Sequence, residues 1–134
     1  MNIVLRTNQV DPFLAMHAVQ RFADDSGYRA LLEVRSRGYQ VRAPFYFEPW
    51  SLEQFITHLE QMDRTLTGTA KLKPMFEDHF VELTLTNTGR VVVHGEVFEY
   101  SEHGQHITFE FETDQTVLKP LIDDLKACRE LAAA

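Results

Sequence analysis

The 134-residue chain is predicted to fold as one α+β domain spanning residues 1–134: an antiparallel β-sheet of about six or seven strands, made of hairpins and a meander, with two α-helices packed on one face. Three observations predict it. Two stretches, 29–49 and 80–112, alternate apolar and polar residues with the period of a half-buried strand. Two others, 51–66 and 118–128, repeat apolar residues at helical spacing. The chain also runs from strand into helix twice, in FYFEPWSLEQFITHL (45–59) and again in FEFETDQTVLKPLIDDL (109–125).

The elements follow in order. Asp11-Pro12 followed by Ala, Leu, Met and Gln could open a capped helix, but the apolar spacing of LAMHAVQRF and the Asp25-Ser26-Gly27 turn fit a strand, the reading adopted for 11–22. In RALLEVRSRGYQVRAPFYFEP, residues Ala30, Leu32, Val34, Tyr39, Val41, Ala43, Phe45 and Phe47 share a face, with Arg35, Arg37, Gln40 and Arg42 opposite and Arg37-Gly38 as the reversal of a hairpin. SLEQFITHLEQMDRTL buries Leu52, Phe55, Ile56, Leu59, Met62 and Leu66; Ser51 with Gln54 reads as a capping box, and Trp50 as a staple on Phe55. Residues 80–112 break at Asn87-Thr88-Gly89 and at Ser101-Glu102-His103-Gly104, giving a three-stranded meander. The last helix carries Leu118, Leu121, Ile122, Leu125 and Cys128 on one face, with Asp114 or Thr116 to cap it and Pro120 in its first turn.

Composition narrows the function classes. The lone Cys128 cannot form an internal disulfide, so a reducing cytoplasm is the expected setting. No apolar run approaches the roughly 20 residues of a membrane span, and MNIVLRTNQVDPF lacks the basic region and apolar core of an export signal. The net charge is −7 and uneven: residues 1–67 hold eight acids and seven bases, residues 68–134 twelve and six. Between 77 and 114 the acids Glu77, Asp78, Glu82, Glu96, Glu99, Glu102, Glu110, Glu112 and Asp114 face Arg90 alone. Such a field repels nucleic acid and steers a basic partner, although it also serves solubility.

No motif predicts catalysis or a cofactor. His103 and His106 are separated by a turn and lack a third ligand at a zinc spacing; Cys128 lies on an apolar stripe, and no nucleophile elbow, phosphate loop or His-Glu-x-x-His is present. The meander says more. With Val81, Leu83, Leu85, Val93, Val97, Ile107, Phe109 and Phe111 inward, its other face carries Glu82, Thr84, His94, Glu96, Phe98, Tyr100, Glu110 and Glu112. Acids interleaved with aromatics suit a protein-binding surface, rings as anchors and charges for steering. Glu82, Glu96, Phe98, Tyr100, Glu110 and Glu112 are the candidate contact residues. The competing view makes this face a solvated sheet side, with Phe98 and Tyr100 covered by the N-terminal strands.

The helix entry WSLEQFITHLEQM behind FYFE, the strands of FEDHFVELTLTNTGRVVVHGEV and the link TFEFETDQTVLKPLIDDL together resemble the bacterial WapI-type immunity proteins over roughly residues 29–130. The resemblance implies a non-enzymatic cytoplasmic antidote that binds a cognate toxin domain, often a nuclease; the acidic surface independently suits a basic nuclease, and no cofactor or metal is expected. Two other classes stay open. A secretion chaperone would open with a helix at 11–22 and dimerise, and a small-molecule enzyme would need a deep pocket with convergent polar groups. Monomer and homodimer both fit.

Overall fold

The computed structural model describes residues 1–133. Eight strands and two helices run in the order β1 (Ile3–Leu5), β2 (Phe13–Arg21), β3 (Tyr28–Ser36), β4 (Tyr39–Phe47), α1 (Pro49–Thr65), β5 (Gly68–Leu72), β6 (Phe80–Leu85), β7 (Arg90–Glu99), β8 (Gln105–Asp114), a short 3₁₀ turn (Gln115–Val117) and α2 (Leu118–Arg129). The class is α+β, as predicted. The strands number eight rather than six or seven, and they form two antiparallel sheets, β1-β2-β3-β4 and β5-β6-β7-β8. Each sheet is followed by one helix. The echo between FYFEPWSLEQFITHL and FEFETDQTVLKPLIDDL therefore marks the close of two successive ββββα units.

Residues 13–21 are a strand, and their weak periodicity has a local cause. Leu14 and Met16 face inward, but the register with β3 shifts between His17 and Gln20, where Ala18 takes φ 52°. This bulge resets the alternation, so that Val19 is buried next. The β3–β4 hairpin pairs Val34 with Val41 and Ala30 with Phe45, as the alternation predicts. Its two-residue turn has positive φ at both Arg37 and Gly38, the twist that matches flanking strands.

The expected cap of α1 is displaced. The helix begins at Pro49 with Glu48 as its N-cap, because proline's fixed φ and missing N–H suit the first helical position. Ser51 is thus buried inside the first turn, and its hydroxyl donates to the Lys73 carbonyl at 2.9 Å. Trp50 lies in the same turn and is exposed rather than acting as a staple. Asp114 does cap, accepting from the Thr116 N–H at 2.9 Å, but it caps the 3₁₀ turn ahead of α2. Pro120 falls in the first turn of α2.

The inner faces of both sheets close on one core. Leu5, Met16, Leu32 and Phe45 of the first sheet meet Leu72, Leu83, Val93 and Phe111 of the second, with Phe55, Leu59, Leu121 and Leu125 from the helices. Burying each such side chain contributes roughly 1.5–3 kcal/mol against chain entropy. Ion pairs Lys126–Glu60 and Arg129–Glu53, both 3.0 Å, join the helices. The outer edge of β1 is covered as well: Val4 N–H donates to Asp124 Oδ2 at 3.0 Å, and Arg6 pairs with the same carboxylate at 2.7 Å. With both inner faces committed to the core, the outer faces are what each sheet presents to its surroundings.

Candidate functional site

The outer face of the second sheet is set by register. Cross-strand partners give the rows Lys71–Glu82–His94–Glu110, Phe80–Glu96–Thr108, Thr84–Val92–Glu112 and Phe98–His106. Of the six sequence-predicted residues, Glu82, Glu96, Phe98, Glu110 and Glu112 share this face. Tyr100 lies one residue beyond the end of β7 and is exposed.

Tyr100 nevertheless joins the others through its ring. Phe98 stacks on His106 at 4.2 Å and on Tyr100 at 5.9 Å, both with an interplanar angle of 7°. The Tyr100 hydroxyl donates to Asp78 Oδ2 at 3.2 Å, and its pKa is raised by desolvation first, with the Asp78 carboxylate adding to it. The rings therefore cover one another, and Tyr100 remains open to solvent. Phe80 is the exception on this face, buried beneath the Lys71 ammonium 4.1 Å from its centroid and the edge-on His94 ring at 5.3 Å.

The carboxylates are unequally compensated. Glu112 pairs with Arg90 at 3.3 Å. Among the described residues the ion-pair partners of Glu82 and Glu96 are imidazoles, His94 at 4.0 Å and His106 at 3.4 Å, which neutralise them only when protonated. Glu110 has no ion-pair partner among the described residues. Sequence reading placed the acids and Phe98 correctly because period 2 assigns a face. It missed His106 as a stacking partner, since that contact depends on the β7–β8 register.

No group of three or more His, Cys, Asp or Glu among the described residues is arranged to hold a metal ion. A cleft of about 570 Å³ lies between the β3–β4 hairpin tip and β8. Its walls include Val34, Val41, Ile107 and Phe109, with Arg37, Gln40, His106 and Glu110 also lining it. Cys128 is fully buried and its thiol is pushed up to about 12 by desolvation, which keeps it protonated. No helix among the described residues is long and apolar enough to cross a membrane.

These features define a class, small duplicated α+β domains with an acid-and-aromatic sheet face. Within it, the chain belongs to the WapI-like immunity protein family, whose model matches residues 9–131. The match begins well before residue 29 and takes in the bulged strand β2. Membership carries an immunity function and, in general, a toxin as partner. In fold the chain is similar to a solved Trypanosoma bruciei MRP1/MRP2 structure, with 10% sequence identity, TM-score 0.55, and coverage of 96% of this chain and 81% of that one. No curated protein sequence matches it.

Proposed function

We propose that this protein is a non-enzymatic, cytoplasmic immunity protein that neutralises one cognate toxin domain by binding it through the outer face of β5–β8. The observation that carries the reading is the juxtaposition of Glu110, without an ion-pair partner among the described residues, and Glu96, whose neighbour is the His106 imidazole, with the Tyr100–Phe98–His106 stack. Rings of this kind supply buried anchors, and the surrounding carboxylates speed the approach of a basic partner. A nuclease-type toxin suits that chemistry, because a surface that grips phosphates is cationic. The chaperone alternative rested on an opening helix, and residues 13–21 form a strand instead.

The test is binding kinetics against the cognate toxin domain, once identified by capture on the purified protein. Phe98→Ala and Tyr100→Ala are expected to weaken binding about 10-fold or more, chiefly through faster dissociation. Glu96→Lys is expected to slow association several-fold at low salt. Wild-type affinity in all three variants would move the interface elsewhere.

A further inference from the structure

The segment joining β5 to β6 is tied down at five points. The Lys73 carbonyl accepts from Ser51 Oγ at 2.9 Å, and Lys73 Nζ donates to the carbonyls of Glu77 at 2.8 Å and Pro74 at 3.3 Å. Met75 N–H donates to Glu48 Oε1 at 3.0 Å, and His79 Nε2 lies 3.1 Å from the Tyr46 carbonyl. Yet this pinned segment holds Phe76 89% exposed. A fixed loop with an aromatic ring in water gains nothing from the fold, since the ring is neither buried nor free to collapse onto a neighbour.

Phe76 lines a recess of about 190 Å³ together with Phe22, Tyr46, Glu48 and Glu77. The Phe22 and Tyr46 rings are stacked 6.3 Å apart. The Glu77 carboxylate has no hydrogen-bond or ion-pair partner among the described residues, and the loop's own cation, Lys73, spends its ammonium on two carbonyls. Aromatic walls with a free carboxylate at the mouth fit a guanidinium, which stacks on rings and bonds a carboxylate in one plane.

We propose that this recess receives an arginine side chain of the protein partner. That the partner is a basic toxin rests on the function proposed above; the recess itself does not. Asp78, next to Glu77 in the same segment, bonds Tyr100, while Tyr46 pairs with Arg29 in the first sheet, so the loop that carries Phe76 touches both sheets.

The test uses N-acetyl-arginine amide as probe, titrated into the isotope-labelled full chain and followed by amide shifts. Saturable shifts at Phe22, Tyr46, Phe76 and Glu77 are expected, with roughly millimolar Kd, lost in both Phe76→Ala and Glu77→Gln. Equal shifts with the norleucine analogue, or shifts spread over the whole acidic surface, would overturn the proposal. With the cognate toxin domain, the same two variants are expected to lose about 10-fold in affinity; unchanged affinity there also overturns it. If wild type fails to bind that toxin, the immunity reading of the face fails, while the arginine titration still decides the recess.

Discussion

His79 lies in the seam between the units, 5% exposed, with its ring 4.3 Å from Phe45 and Nε2 3.1 Å from the Tyr46 carbonyl. Nε2 is within reach of both Tyr46 backbone groups, the carbonyl at 3.1 Å and the N–H at 3.4 Å, so it donates to the one or accepts from the other according to its tautomer. Burial lowers its pKa from 6.5; the Tyr46 hydrogen bond and the Glu77 carboxylate oppose this, Lys73 adds to it and Glu48 opposes it. With the folded pKa below the unfolded one, the unfolded chain binds the proton first as pH falls. The contribution is therefore level above about pH 6.5 and becomes destabilising beneath it. Denaturation midpoints for wild type are expected to fall between pH 6.5 and 5.5. His79→Gln should be less stable at pH 7.5 by about 1–2 kcal/mol, through lost packing and hydrogen bonding, but with a shallower acid slope. Parallel slopes would remove His79 as the cause. At the same scale, Gly95 explains an otherwise unfavourable glycine inside a strand: a Cβ there would strike the Phe109 ring and approach the Phe80 carbonyl to 2.6 Å.

At the scale of elements, the two helices end and begin under different constraints. α1 stops at Leu66, which takes the left-handed conformation (φ 57°) while its N–H bonds the Met62 carbonyl, and its side chain is 55% exposed. A left-handed leucine is strained by its Cβ, and glycine is the usual occupant. Leu66→Gly is expected to raise unfolding free energy by roughly 0.5–1 kcal/mol, read by urea denaturation; a loss would mean that Leu66 packs more than its exposure indicates. The sequence shows Leu66 as the last apolar residue of the helical stripe, and only the structure shows it as the cap. The same limit governs the other differences. β3, β4, β6, β7 and β8 were legible because each is long enough for period 2 to be seen, and α1 and α2 because their stripes run three turns or more. β1 has three residues and β5 five, too few for a pattern. The division into two sheets depends on which strands pair, which no local pattern encodes. The sheet face of the candidate site follows from alternation, whereas the Phe76 recess joins the end of β4 to the loops that follow β2 and β5, a juxtaposition that no sequence period encodes.

On the scale of the whole molecule, the two sheets present outer faces of opposite charge. The outer face of β2–β4 carries Arg29, Arg35 and Arg42. Its Glu33 is engaged by His17 at 2.8 Å and Gln40 at 2.7 Å, and its pKa is lowered by the His17 hydrogen bond first. The outer face of β5–β8 carries Glu82, Glu96, Glu110, Glu112 and Asp114 against Lys71 and Arg90. Because both inner faces close on a shared core, these surfaces look away from it, and the molecule is electrically lopsided as well as acidic. A basic partner approaching by diffusion is oriented by that asymmetry before any contact forms. The proposed interface thus makes an orientation-specific prediction for association rates at low salt. Glu110→Lys should slow association several-fold, while Arg42→Glu should leave it unchanged or raise it slightly, although each substitution alters the net charge by the same amount in opposite senses. Raising the ionic strength to about 0.5 M, where the screening length falls to a few Å, should bring all three proteins to one rate. If Arg42→Glu slows association instead, the partner docks on the first sheet and the acidic face is a solubilising surface.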